Sequence, residues 1–296
     1  MTIVDIHTHV FWYPDHLSDE VVDDALAAKR VKAARSGGKA FLEREDRHAN
    51  DARPDDHHLA TSAADKVVVF GIRARAVGID VPNEVIADYV KRDPDRLEGW
   101  ASVDPNDADC LDQLDHCVTD LGLKGLKVAP VYQHWDPHDE RRWTLLRRCA
   151  ELGLPVMIHQ GTTYPTRARL EWGKPLQLER LVTELPDLRM IIAHLGHPWE
   201  EDVVALVRKT PNLYSDVSAL HFRPWRFWQA MVTAYEYGVT HKLLFGSDFP
   251  NASTADAIAG LRGVNGVVDG TPLPRIPDDV IDQILHENWK RFDGTS

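Results

Sequence analysis

The stretch Asp5-Ile6-His7-Thr8-His9 sets two imidazoles two residues apart. In an extended strand the side-chain period is two, which predicts Asp5, His7 and His9 on one face and Val4, Ile6 and Thr8 on the other. The rings would stand ~7 Å apart along the strand. Each could turn a nitrogen toward a shared ion at roughly 2.1 Å, the bond length of a zinc-type site. An ordinary strand end with two hydrogen-bonded histidines would look the same, so the pair needs partners from elsewhere. Three occur. His159 ends Pro155-Val156-Met157-Ile158, His194 ends Ile191-Ile192-Ala193, and Asp248 follows Leu243-Leu244-Phe245-Gly246-Ser247. Imidazole and carboxylate suit zinc, and also manganese, iron or cobalt.

These residues can meet only if the strands that carry them run side by side. Short apolar runs alternate with amphipathic segments along the chain. Strands are expected at 66–71, 97–103, 125–128, 155–159, 189–194, 213–217 and 242–246, after the first near residues 4–9. Helices are expected at about 83–92, 106–121, 139–152, 176–185, 200–209 and 224–237, with a tail helix over 278–291. Continuous apolar strands alternating with helices imply parallel strands covered on both faces. Eight alternations in 296 residues match a single distorted (β/α)8 TIM barrel spanning 1–296. No Gly-x-Gly-x-x-Gly turn follows the first strand, so an open dinucleotide fold gains no support. In a barrel, chemistry gathers at the C-terminal ends of the strands, where the four histidines and Asp248 fall.

Residues from about 10 to 62 form an insertion after the first strand. Ser18 is the expected N-cap of a helix with Asp19 and Glu20 in its first turn, ended by Gly37-Gly38. The polar stretch 39–58, with His48, Arg53, His57 and His58, reads as a solvated loop, with a lid over the site as the alternative.

Composition narrows the partners. Hydrophobic residues make up 43% and charged residues 27%, as in ordinary folded proteins. A net charge of −12 argues against general binding of nucleic acid or anionic membrane, which require a concentrated basic surface. Cys110, Cys117 and Cys149 show no Cys-x-x-Cys spacing and read as free thiols in a reducing compartment. With no signal-peptide pattern and no apolar run of membrane-span length, cytoplasm is the expected location.

His7-Thr8-His9, Gly125-Leu126-Lys127-Val128-Ala129-Pro130, Ile158-His159, Ala193-His194-Leu195-Gly196 and Phe245-Gly246-Ser247-Asp248-Phe249-Pro250 together resemble the amidohydrolase superfamily, in the branch that includes aminocarboxymuconate-semialdehyde decarboxylase. The resemblance spans nearly the whole chain and implies a divalent metal held by His7, His9, His159 and Asp248. It places His194 beside the metal-bound water as an acid/base or electrostatic helper. In binuclear relatives a carboxylated lysine on the fourth strand bridges two metals, and Lys127 lies on the matching strand. One metal, zinc before manganese, iron or cobalt, is the favoured expectation, with Lys127 holding substrate. The resemblance also suggests a homodimer.

Two reactions fit these residues. In hydrolysis of an ester, lactone or amide, Asp248 takes the proton of metal-activated water and His194 assists the oxyanion or leaving group. In non-oxidative decarboxylation, Asp248 or His194 delivers a proton to the carbon that loses carbon dioxide. Keeping both histidines of the first pair leans toward hydrolysis, because some decarboxylases of the branch carry glutamate there. The expected substrate is a small aromatic or unsaturated acid, contacted by Lys127, Trp12, Arg73, Tyr132 and Arg223. Asp5 either anchors one of the histidines or makes a hydrogen bond deeper in the barrel; Asp216 and His197 lie near the same rim and read as structural.

Overall fold

A computed structural model describes residues 2–35 and 46–294 of the chain. Eight parallel strands pair in chain order: β1 (Val4–His9), β2 (Lys66–Phe70), β3 (Leu97–Ser102), β4 (Leu126–Val128), β5 (Val156–Ile158), β6 (Met190–Ile192), β7 (Leu213–Asp216) and β8 (Leu243–Leu244). The last strand returns to the first. Ile6 N–H donates to Phe245 O at 3.1 Å, Asp248 N–H to His7 O at 2.8 Å and His9 N–H to Phe249 O at 3.0 Å. The result is the expected (β/α)8 barrel.

Alternation along the strands sorts the apolar residues into two layers. Val67, Val69, Val156, Ile158, Met190 and Ile192 pack outward against the helices. Val68, Phe70, Trp100, Met157, Ile191 and Leu244 fill the interior together with Val4 and Ile6. Each run is therefore apolar throughout, because both faces are covered.

The helices are α1 (Asp19–Arg35), α2 (Pro54–Ala60), α3 (Asn83–Val90), α4 (Cys110–Thr119), α5 (Pro130–Gln133), α6 (Trp143–Glu151), α7 (Glu179–Glu184), α8 (Glu200–Lys209), α9 (Pro224–Glu236), α10 (Thr254–Arg262), α11 (Asp278–His286) and α12 (Asn288–Asp293). Ser18 caps α1 as expected, its Oγ facing Val21 N at 3.4 Å, while Gly37 and Gly38 lie outside the described residues. Helix α4 starts later than expected because Asp104 accepts the backbone N–H of Asn106 and turns the chain first. The tail is two helices divided at Glu287. It packs beneath the barrel: Phe292 joins the interior layer, and Asn288 Nδ2 donates to Leu243 O at 2.8 Å. Among the described residues, no helix is long and apolar enough to cross a membrane.

Two expectations change. The stretch 39–58 lies partly outside the described residues, but its later part is not a solvated loop. His57 sits in α2 and is completely buried. The strict alternation of β1 also fails. Val4 and Asp5 pair with Lys66 and Val67, whereas Thr8 and His9 pair with Val69 and Phe70, so β1 holds one extra residue between Asp5 and Thr8. This bulge lets Ile6 stay in the interior layer while His7 and His9 both face the site. Asp5 parts from the histidines: it accepts from Ser247 N at 2.9 Å and from Thr254 Oγ1, on α10, at 2.6 Å. Burial pushes its carboxyl up to about 6, against the lowering effect of those hydrogen bonds.

Candidate active site and metal centre

His7 and His9 end β1, His159 follows β5, His194 follows β6 and Asp248 follows β8, so the barrel brings all five to one end. His7 Nε2 lies 3.5 Å and His9 Nε2 3.3 Å from Asp248 Oδ1. His7, His9 and Asp248 are buried, and their donor atoms lie within 4.8 Å of one another. The His194 ring stacks on His7 at 4.7 Å between centroids and stands edge-on to His159 at 5.2 Å. His159 is outside the tight group; its Nε2 faces Thr162 O at 3.3 Å.

Local backbone makes this convergence possible. Asp248 and His194 adopt left-handed φ values of 59° and 56°, an uncommon conformation for residues with a Cβ. It turns each side chain inward immediately after its strand. At Gly246, a Cβ would lie 2.9 Å from His7 Cβ, so only glycine lets β8 approach this closely.

Asp216, which ends β7, organises two of the histidines. Its Oδ2 accepts from His7 Nδ1 at 2.9 Å, and its Oδ1 accepts from the Ser218 hydroxyl at 2.5 Å and from His194 N–H at 3.0 Å. Because that hydroxyl proton is committed to Asp216, Ser218 Oγ accepts from His194 Nδ1 at 2.7 Å. Each imidazole thus carries its proton on Nδ1 and keeps a lone pair on Nε2. Burial, then the charge of Lys127, drives His7 well below the ordinary histidine range. Burial also lowers His9 and His159, so all three rings stay neutral and can donate to a cation. Burial alone would raise Asp248, but His194, His9 and His7 outweigh it and hold the carboxylate ionised. Asn251 Nδ2 donates to its other oxygen at 2.8 Å.

This donor set fits a divalent metal: two neutral imidazoles and one ionised carboxylate converge. Lys127 Nζ lies 3.3 Å from His7 Nε2, over the Phe70 ring, and burial pushes the amine down to about 8.

A cavity of about 420 Å³ opens over the group. Of the residues read as substrate contacts, Lys127, Tyr132 and Arg223 line it. Trp12 and Arg73 do not. Trp12 packs on His16 and donates to Asp15 at 2.7 Å, and Arg73 is paired with Asp80 at 2.9 Å. Position just after a strand proved insufficient, because both arginine and tryptophan found partners outside the mouth. Tyr164 and Asn251 line the cavity without having been expected there, and His197, expected near the rim in a structural role, lines it as well. Asp216 and Ser218 carried a readable signal, since they stand two residues apart at the end of their strand as His7 and His9 do at the end of β1.

The family model described as Amidohydrolase matches residues 4–292. A gamma-resorcylate decarboxylase from Rhodococcus jostii (strain RHA1) is 26% identical across 180 residues, covering 48% of this chain and 54% of that protein. The chain thus spans about half the length of this curated relative. An uncharacterized TIM-barrel protein from Bordetella bronchiseptica superposes with a TM-score of 0.73 at 20% identity, covering 99% of both chains. A probable 2-pyrone-4,6-dicarboxylic acid hydrolase from Acinetobacter baumannii, solved with citric acid bound, gives a TM-score of 0.64 at 19% identity over 99% of this chain and 100% of that one.

Proposed function

The chain belongs to the amidohydrolase family, and on that footing we propose that it is a metal-dependent hydrolase of an ester, lactone or amide of a small ring acid. The position of Asp248 carries the reading. An ionised carboxylate lies within 3.5 Å of both Nε2 atoms that would hold the metal, where it can take a proton from an attacking water. His7, His9 and Asp248 would hold one divalent ion, zinc before manganese, iron or cobalt, with His159 as the fourth donor. When bound, that ion supplies Lewis acidity toward a carbonyl or water oxygen.

The remaining work falls to the protein. His194, fixed through Nδ1 by Ser218, keeps a lone pair on Nε2 that would take up a proton and hand it to the leaving group. Lys127 and Arg223 supply positive charge for a substrate carboxylate, while Tyr132 and Tyr164 wall the cavity. The resorcylate and pyrone dicarboxylate named for the similar proteins are planar ring acids that such a cavity suits.

Non-oxidative decarboxylation is the second reading, favoured by the name of the Rhodococcus relative. Lys127 and Arg223 would again hold the acid, and His194, having taken up a solvent proton on Nε2, would deliver it to the carbon that loses carbon dioxide. The test loads the protein with each metal in turn and offers lactones, esters, amides and aryl carboxylates, recording acid released and carbon dioxide evolved. Acid release without carbon dioxide supports the hydrolase; carbon dioxide without water addition overturns it.

A further inference from the structure

His197 follows the His194 turn and lines the cavity, yet neither reaction above uses it. Its Nδ1 lies 2.6 Å from Oε1 of Glu200, which opens α8 and is only 3% exposed. The other oxygen of Glu200 pairs with Arg226. Burial would raise Glu200, but the His197 hydrogen bond and the Arg226 charge hold it below the usual carboxylate range. The backbone of His197 is equally fixed: its carbonyl accepts from Thr162 N at 2.7 Å, and a Cβ on Gly161 would lie 2.4 Å from that oxygen.

An imidazole that donates Nδ1–H to a carboxylate presents a lone pair on Nε2. Nε2 of His197 has no hydrogen-bond partner among the described residues, and the side chain is 13% exposed. The cavity therefore holds an oriented acceptor whose partner the protein does not itself provide. We propose that His197 is a specificity residue whose Nε2 accepts a hydrogen bond from a hydroxyl group on the substrate. The inference rests on the reading of the cavity as a site for a small ring acid. A site built to pair a hydroxyl discriminates against the analogue that lacks one, because the acceptor is then buried unpaired.

The probes are benzoate and the three monohydroxybenzoates, with binding to the metal-loaded protein measured by calorimetry. At least one hydroxybenzoate should bind roughly tenfold more tightly than benzoate. His197→Phe should erase that gap, so that no hydroxybenzoate binds more tightly than benzoate. His197→Gln, whose side-chain oxygen still accepts, should retain part of it, and Glu200→Gln should shrink it by loosening the ring. Should His197→Phe fail to fold, the Gln variants decide. A gap that survives all variants, or benzoate binding with no gap in the wild type, overturns the role of His197 alone. Failure of benzoate and every hydroxybenzoate to bind overturns the ring-acid reading and this inference with it.

Discussion

Asp216 Oδ2 lies 2.9 Å from His7 Nδ1, with both side chains completely buried. The contact fixes the ring orientation and leaves Nε2 facing Asp248. Carboxylates that orient a metal-binding histidine in this way typically contribute 10–100-fold to affinity. Asp216→Asn should therefore weaken zinc binding by about that factor, and it should also disturb His194 through Ser218. Titration of metal-free protein with zinc measures the change. Wild-type affinity in a folded variant would remove Asp216 from this role.

Lys127 bears on how many ions the site takes. Its Nζ lies 3.3 Å from His7 Nε2, next to the position proposed for the metal. As a free amine it opposes a nearby cation and attracts an acid; as a carboxylated amine it would bridge two metals. The expected outcome is one metal per chain, an unmodified Lys127 mass, and a metal content of one preserved in Lys127→Met. That variant should bind benzoate about tenfold more weakly, the equivalent of one charge-assisted hydrogen bond. Two metals per chain with a carboxylated lysine would reverse the assignment.

What the sequence revealed, and what it concealed, follows from physical range. Strand order, barrel closure and the rim positions of His7, His9, His159, His194 and Asp248 were legible because they depend on local periodicity and on one architecture that covers both faces of every strand. The bulge in β1 was not, since an extra residue shows only against the register of β2. Asp5 leaves the histidines' face for that reason and takes the deeper hydrogen bonds that were the alternative for it. Trp12 and Arg73 fall outside the cavity because Trp12 packs on His16 within the turn after β1 and Arg73 faces Asp80 across a short antiparallel strand pair. His57 carried no periodic signal, and its burial depends on a hydroxyl of β1 and a phenol of α3.

Close packing at Gly246 gives a prediction about precision. A methyl group there would stand 2.9 Å from His7 Cβ and 3.4 Å from His7 N, so β1 or β8 must move. Gly246→Ala should cost roughly 1–3 kcal/mol of stability. It should also weaken zinc binding, because His7 is held on its other side by Asp216. Urea unfolding and zinc titration read the two effects separately. Unchanged values in both would show that the strands can yield without disturbing the ligands.

His57 sets a pH dependence through Thr8, which lies between His7 and His9. Thr8 Oγ1 donates to Val68 O at 2.7 Å, so it accepts from His57 Nε2 at 2.8 Å, and Tyr89 OH then donates to His57 Nδ1 at 2.7 Å. The ring is neutral and has no room for a second proton. Burial, helped by the charge of Arg96, pushes it down to about 3 from the ordinary 6.5. The unfolded chain gains a proton near 6.5 that the folded chain refuses until about 3. Stability from this group is complete above the higher value and is lost as pH falls toward the lower one, at about 1.4 kcal/mol per pH unit. His57→Phe should be less stable at neutral pH, because Thr8 and Tyr89 lose their partner. It should nevertheless lose less stability on acidification, so that urea-unfolding curves for wild type and variant converge between neutrality and the onset of acid unfolding. Parallel curves would mean that His57 accepts its proton in the folded protein as readily as in the unfolded chain.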